Sequence, residues 1–307
     1  VLHFKDRWVT QFGLSGELAA LTAAFLWAIA TVLFGRLGKA LPPLVLNLLK
    51  GVMAIGFIGI TLLLRADLAP ELPPRAVGWL ALSGAIGIGL GDTAYFTAVN
   101  QLGARRALLL ESLAPPLAAL LAWVGLQEAL GAIAWGGILV TLLGVTWVIS
   151  ERVPASKQTQ PVSWRGLAWG VLAALGQSTG SVLSRAGLAD TPVDPLWSSL
   201  IRLGSGVVVL VILLGGRGQL RDVVKPLRIP GIVPVLALTA FLGTYLGIWL
   251  QQMAFKQSPA GIAQSLLATS PLFVLPIAAM LGDRVSWRAI LGVLVALGGV
   301  WLLVGLG

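Results

Sequence analysis

The chain has no cysteine and a single histidine, His3. Disulfides, thiolate metal sites and thiol nucleophiles are therefore excluded, and a zinc centre has no ligand set to draw on. Charge is also scarce. Only 11% of the 307 residues are Asp, Glu, Lys or Arg, where a soluble domain carries about 25%. So few charges cannot coat a water-facing surface. No lysine follows the glycine pattern of a P-loop, which removes the usual phosphate cradle of an ATPase. What the chain has in abundance is apolar residues, 57% of the total, with a mean hydropathy of +0.92. The expected class is an all-α integral membrane protein without a cofactor.

The net charge of +9 raises the question of nucleic acid. The Lys and Arg residues lie mostly between apolar runs, where cations act as topology signals and snorkelling anchors. Nucleic acid is rejected as a partner on that ground, and the lipid bilayer is expected instead. The 12 tryptophans fit amphipathic rings at the lipid–water boundary.

A helix needs about 20 apolar residues to cross the hydrocarbon layer. Runs of that length predict ten spans, at residues 16–35, 43–64, 76–99, 104–125, 130–150, 164–186, 195–214, 230–254, 259–281 and 287–306. Barrel strands would be half as long and would alternate. Turn signals such as Leu41-Pro42-Pro43, Leu72-Pro73-Pro74 and Gly215-Gly216 separate the runs. Residues 1–15 are expected to be a tail, in which Phe4, Trp8 and Phe12, beside Lys5 and Arg7, have the spacing of a short interfacial helix. The polar stretch 151–163 is expected to link two five-span units, 16–150 and 164–307.

The two units resemble each other. Ala81, Gly87, Gly91, Ala98, Gln101 and Pro115 fall in register with Ala237, Gly243, Gly247, Ala254, Gln257 and Pro271. Nearby registers set Arg36 against Arg185, Pro43 against Pro195, Lys50 against Arg202 and Glu128 against Asp283. Five spans per unit force the second copy to run upside down. Inverted repeats have two near-equivalent packings, and rocking between them exposes a central site to alternate sides.

The stretches Gly91–Trp123 and Ala260–Ser286 carry a small-residue third span, a proline-bearing fourth span and a short acidic turn. In these the chain resembles the drug/metabolite transporter superfamily, EamA-type branch, along nearly its whole length. The resemblance implies ten helices as two inverted five-helix repeats around a central cavity. It also implies a small-molecule substrate, with export of amino acids and other small metabolites known in the branch, and both termini inside. The loop cations, more numerous on the side away from the N-terminus, favour both termini outside. The third spans differ in their polar residues: Asp92 meets Ile248, and Tyr95 meets Gln251.

Ionisable groups at membrane depth are costly and are candidate functional groups by default. Asp92 has three readings: a proton-binding carboxylate that couples transport, a receptor for a substrate ammonium, or a partner for a cation such as Lys50. Lys50 and Arg202 each lie seven residues past a proline, about 10 Å inward. They either snorkel outward or line the cavity and draw a carboxylate or a coupled anion. Glu111 follows Arg105 and Arg106 closely, which favours a structural pair at the helix entrance. Neutral polar candidates are Asn47, Gln177, Ser178, Gln251 and Gln252. The last two are adjacent, so they cannot share one direction. Trp27, Tyr95, Tyr245 and Trp249 offer amphipathic rings for an apolar or aromatic substrate. Gly84, Gly87, Gly91, Gly243 and Gly247 read as packing surfaces. Pro115, Pro116, Pro271 and Pro276 lie inside predicted spans, where proline frees carbonyls and permits hinges.

The expected function is a secondary-active or facilitative exporter of small metabolites, such as neutral or aromatic amino acids, in a bacterial inner membrane, with protons as a candidate coupling ion. Two alternatives compete. The first is an intramembrane enzyme. GLGD at 89–92 matches the signature of intramembrane aspartyl proteases, but that chemistry needs a second aspartate, and none lies inside a span. The second is a channel or scaffold, for which an oligomeric ring of charge would be typical.

Overall fold

A computed structural model describes residues 15–37, 41–68, 70–150, 163–280 and 286–305. The candidate interfacial helix near the N-terminus and most of the 151–163 linker fall outside these residues. Every regular element among them is helical. The first repeat contains α1 (Gly16–Leu37), α2 (Pro43–Leu64), α3 (Pro74–Leu102), α4 (Ala104–Glu111), α5 (Ala114–Leu126) and α6 (Ala132–Ser150). The second contains α7 (Trp164–Leu188), α8 (Pro195–Gly216), α9 (Ile232–Gln257), α10 (Ala260–Leu267), α11 (Ser270–Met280) and α12 (Trp287–Gly305).

Among the described residues, eight stretches are long and apolar enough to cross a membrane, with α4–α5 and α10–α11 each counting as one. The first span of each repeat is not among the eight. α7 has 25 residues, but Gln177 to Ser181 interrupt its apolar run.

Prolines explain where several helices begin. α2, α3 and α8 each start on a proline, whose missing N–H is no loss in a first turn. The fourth spans break for the same reason. Pro115 and Pro116 start α5 and Pro271 starts α11, so the expected interior kinks at these residues are full helix boundaries. A proline ring clashes with the carbonyl four residues earlier, and those positions, Glu111 and Leu267, end α4 and α10. Pro276 does lie inside its helix.

The third spans share a feature that composition does not reveal. Residues Gly84–Gly91 of α3 and Ala240–Leu246 of α9 are π-helical, at equivalent places in the two repeats. The wider π turn disturbs the regular ladder, and in each segment a side chain from another span donates to a carbonyl. Asn47 Nδ2 donates to Ile88 O at 3.2 Å, and Trp27 Nε1 donates to Gly243 O at 2.7 Å.

Packing follows a two-fold pattern. α3 packs on α7 and α8, while α9 packs on α1 and α2. Between the repeats α2 meets α8, α5 meets α10, and α6 meets α12. Lipid gives apolar helices little reason to associate, so close approach relies on small residues. Gly87 and Gly91 of α3 meet Gly180 and Gly176 of α7 backbone to backbone. Gly137, Gly144, Gly292 and Gly299 do the same between α6 and α12.

Candidate functional site

A cavity of ≈ 280 Å³ lies where the repeats meet. Both breaks in the fourth spans line it, through Glu111 and Ser112 on one side and Leu267, Ala268 and Pro271 on the other. Both third spans line it beside their π segments. The wall residues on α2 and α6 lie in the halves nearest the Gly103 connection, whereas Arg202 on α8 and Gln251 on α9 lie in the halves away from it, so the cavity sits at mid-bundle.

Its charged groups are Lys50, Asp92, Glu111 and Arg202. Lys50 Nζ pairs with Asp92 Oδ2 at 3.0 Å, the side chains being 13% and 30% exposed. Lys50 also stands 5.4 Å from the Phe96 ring centroid, a cation–π distance. Arg202 is the repeat equivalent of Lys50, yet no acid among the described residues pairs with it. It is 2% exposed, its Nη1 donates to Gln251 Oε1 at 3.1 Å, and its Nε has no partner. Glu111 was expected to pair with arginines at the helix entrance; the Arg105 side chain lies outside the described residues, and Glu111 lines the cavity with its Oε2 buried and without a hydrogen-bond partner. The sequence held one overlooked sign, the Pro115 that ends the helix at Glu111 and turns its side chain toward the break.

Of the other predicted residues, Trp27, Tyr95, Gln177 and Gln251 line the cavity. Asn47 is buried beneath it against α3. Ser178 bonds back to the Leu175 carbonyl within its own helix. Gln252 turns away from Gln251 and accepts a hydrogen bond from Ser198 Oγ at 2.9 Å. Tyr245 bonds Thr61 at 2.8 Å and stacks on Trp249, and both rings sit in the packing between α2, α8 and α9. Phe96 and Gln264 line the wall as well, and Ser181 donates to Gln264 Oε1 at 2.8 Å.

The opposite end of the bundle is tied by polar contacts. Glu128 Oε1 pairs with Arg185 Nε at 2.6 Å, while its Oε2 accepts the Ala260 N–H at 2.9 Å. Arg185 Nη1 also reaches the carbonyls of Phe255 and Lys256, at 3.0 and 2.8 Å. Lys256 Nζ donates to Val193 O at 2.7 Å, Ser258 Oγ donates to Glu17 at 2.6 Å, and Arg65 lies 3.5 Å from Asp194.

The family model for the EamA-like transporter family matches residues 14–150 and again 164–305. A curated relative, the uncharacterized protein PA1977 of Pseudomonas aeruginosa, is 34% identical over 134 residues, which is 43% of either chain. A solved crystal structure superposes over 95% of this chain and 96% of its own, with a TM-score of 0.74 at 17% identity. At that identity the likeness is one of fold.

Proposed function

The chain belongs to the EamA-like transporter family, and on that premise we propose that it carries small amphipathic metabolites, neutral and aromatic amino acids among them, across the bacterial inner membrane by alternating access. In this reading all ten spans cross the bilayer and the two repeats rock about the central cavity. The observation that carries it is the cavity itself, charged and aromatic, lying between the repeats, with Glu128 and Arg185 tying the repeats together at one end. A mostly apolar wall with a few placed polar groups suits a small ligand. The direction is outward, following the family resemblance.

Saturable counterflow in proteoliposomes, across a panel of amino acids, sugars and nucleosides, tests the proposal. A carrier accelerates uptake of labelled substrate when unlabelled substrate is trapped inside. A channel would give non-saturating flux, and flux of no panel member would defeat the reading. Protons are the proposed coupling ion, with Asp92 exchanging Lys50 for a proton during the cycle. The charged and titratable neighbours around the cavity are Lys50 on α2, Tyr95 on α3, Glu111 on α4 and Arg202 on α8. Asp92→Asn should flatten the pH dependence of counterflow, and an unchanged pH profile would remove Asp92 from coupling.

A further inference from the structure

We propose that a groove beside the end of α8 is a site for the head group of an anionic phospholipid, with the phosphate held by Arg217 and the glycerol lying along α3. The groove is separate from the central cavity, and the proposal does not depend on what that cavity carries.

The loop after α8 has two faces. Leu220–Val223 and Lys225–Arg228 form 3-10 turns. On the inner face Pro226 is buried, and Val223 and Leu227 pack on a core that includes Leu210, Leu214 and Ile232. On the outer face Leu220, Val224 and Ile229 are exposed. The exposed cations Arg217, Arg221, Lys225 and Arg228 stand among them. A loop bathed only by water gains nothing from three bared aliphatic side chains. Aliphatic and cationic residues mixed at the end of a span suit a segment lying in the head-group layer. There the aliphatic groups dip toward the acyl chains and the cations meet lipid phosphates.

The groove has a volume of ≈ 390 Å³ and is walled by the start of α2, the last turns of α3 and the beginning of this loop. Its polarity is graded. Arg217, Gln219 and Asn100 stand at the mouth and are exposed. Asp222 shares that wall, but it lies 2.6 Å from Lys225 Nζ, which offsets its charge. Arg217 is in no ion pair among the described residues. Further in, Leu44 and Val45 are buried. The hydroxyls of Thr93 and Thr97 are used within α3, donating to the Gly89 and Thr93 carbonyls at 2.6 and 2.7 Å. The donors are thus concentrated at the mouth and the aliphatic surface within.

Depth agrees with polarity. Thr93, Thr97 and Asn100 share one face of α3, and the first lies about 10 Å from the last. A head-group layer is about 5–8 Å thick on each side of a bilayer. The groove therefore passes through that layer into the start of the hydrocarbon, in the order a phospholipid runs from phosphate to acyl chain. The guanidinium fork grips two phosphate oxygens. Arg221, Lys225 and Arg228 around it favour a lipid with net negative charge, because a zwitterionic one would bring its own ammonium into the same basic field.

The test uses purified full-length protein in neutral-detergent micelles mixed with phosphatidylglycerol or phosphatidylcholine. Apparent affinity is read from the rise in melting temperature with lipid fraction. Phosphatidylglycerol should bind at least about fivefold more tightly, the attraction one cation supplies at an anionic surface. Arg217→Gln should remove most of that preference, and Arg217→Lys should keep part of it. Asn100→Trp, which plugs the mouth without changing charge, should lower it too. Both positions are exposed, so these substitutions spare the core. Arg288→Gln removes an exposed cation at the same end of the bundle but outside the groove wall, and should leave the preference intact. Free sn-glycerol 3-phosphate should neither raise the melting temperature nor displace the lipid. Equal affinity for the two lipids, or equal losses from Arg217→Gln and Arg288→Gln, would overturn the site in favour of diffuse surface charge. Stabilisation by glycerol phosphate alone would overturn the lipid in favour of a soluble phosphate.

Discussion

The two repeats place a cation at equivalent points of their second spans and then treat it differently. In the first, Lys50 meets Asp92 on the third span; in the second, Arg202 meets Gln251. One cation is neutralised and the other is only oriented. The first spans diverge in a parallel way. The register that sets Arg36 against Arg185 sets Trp27 against Gly176. Gly176 lets α7 touch α3 at Gly91, while Trp27 fills the corresponding space between α1 and α9 and donates to Gly243. Duplication supplies the scaffold. The departures from symmetry supply a cavity in which one cation meets an acid and the other an amide, which a perfectly repeated chain would lack.

That comparison can be broken most severely at the glycines. Gly176→Trp would make the first interface like the second. A Cβ there already meets the Gly91 backbone at 2.9 Å, so an indole costs well beyond the about 1–3 kcal/mol of ordinary overpacking. Little monodisperse protein should survive gel filtration. Normal yield and melting temperature would show that the close approach is dispensable.

Gln251→Asp makes the second cation like the first. Arg202 gains a carboxylate partner, as Lys50 has, and is no longer open to another group in the cavity. Folding should be preserved while counterflow falls more than about tenfold. Unchanged counterflow would mean that transport does not need Arg202 left open.

Glu128→Gln weakens the tied end alone. The absence of cysteine gives a clean background for a probe at Ala260→Cys, a position now fully buried. A water-soluble thiol reagent should label that probe several-fold faster in the Glu128→Gln background. An equal rate in both backgrounds would show that the tie does not hold this end shut. The smallest effect is expected at Thr61→Val, which removes one hydrogen bond to Tyr245, worth about 1 kcal/mol. A melting curve should record a slight drop with counterflow intact, because Tyr245 lies in packing outside the cavity wall.

The repeat was legible because it is written in charged and proline residues, which chance rarely aligns in apolar sequence. Pro43 and Pro195, and Pro115 and Pro271, mark helix starts by local sterics that need no tertiary context. The π segments were not legible. They change hydrogen-bond register without changing composition, and they depend on Asn47 and Trp27 from other spans. Among site candidates, residues with one environment on every side were read most easily. Lys50 and Asp92 stand close enough to pair, as one of the three readings of Asp92 has it. Adjacent or amphipathic side chains were ambiguous, since Gln251 and Gln252, or Trp27 and Trp249, differ only in which face of a helix they occupy. Glu111 was read from the arginines preceding it, while the proline four residues on marks where its helix ends.

The Glu128 carboxylate holds a side chain from one span and a backbone amide from another with its two oxygens. Any motion that draws α7 away from α10 has to strip the carboxylate of one partner or the other, so a single residue registers the separation of three segments of chain.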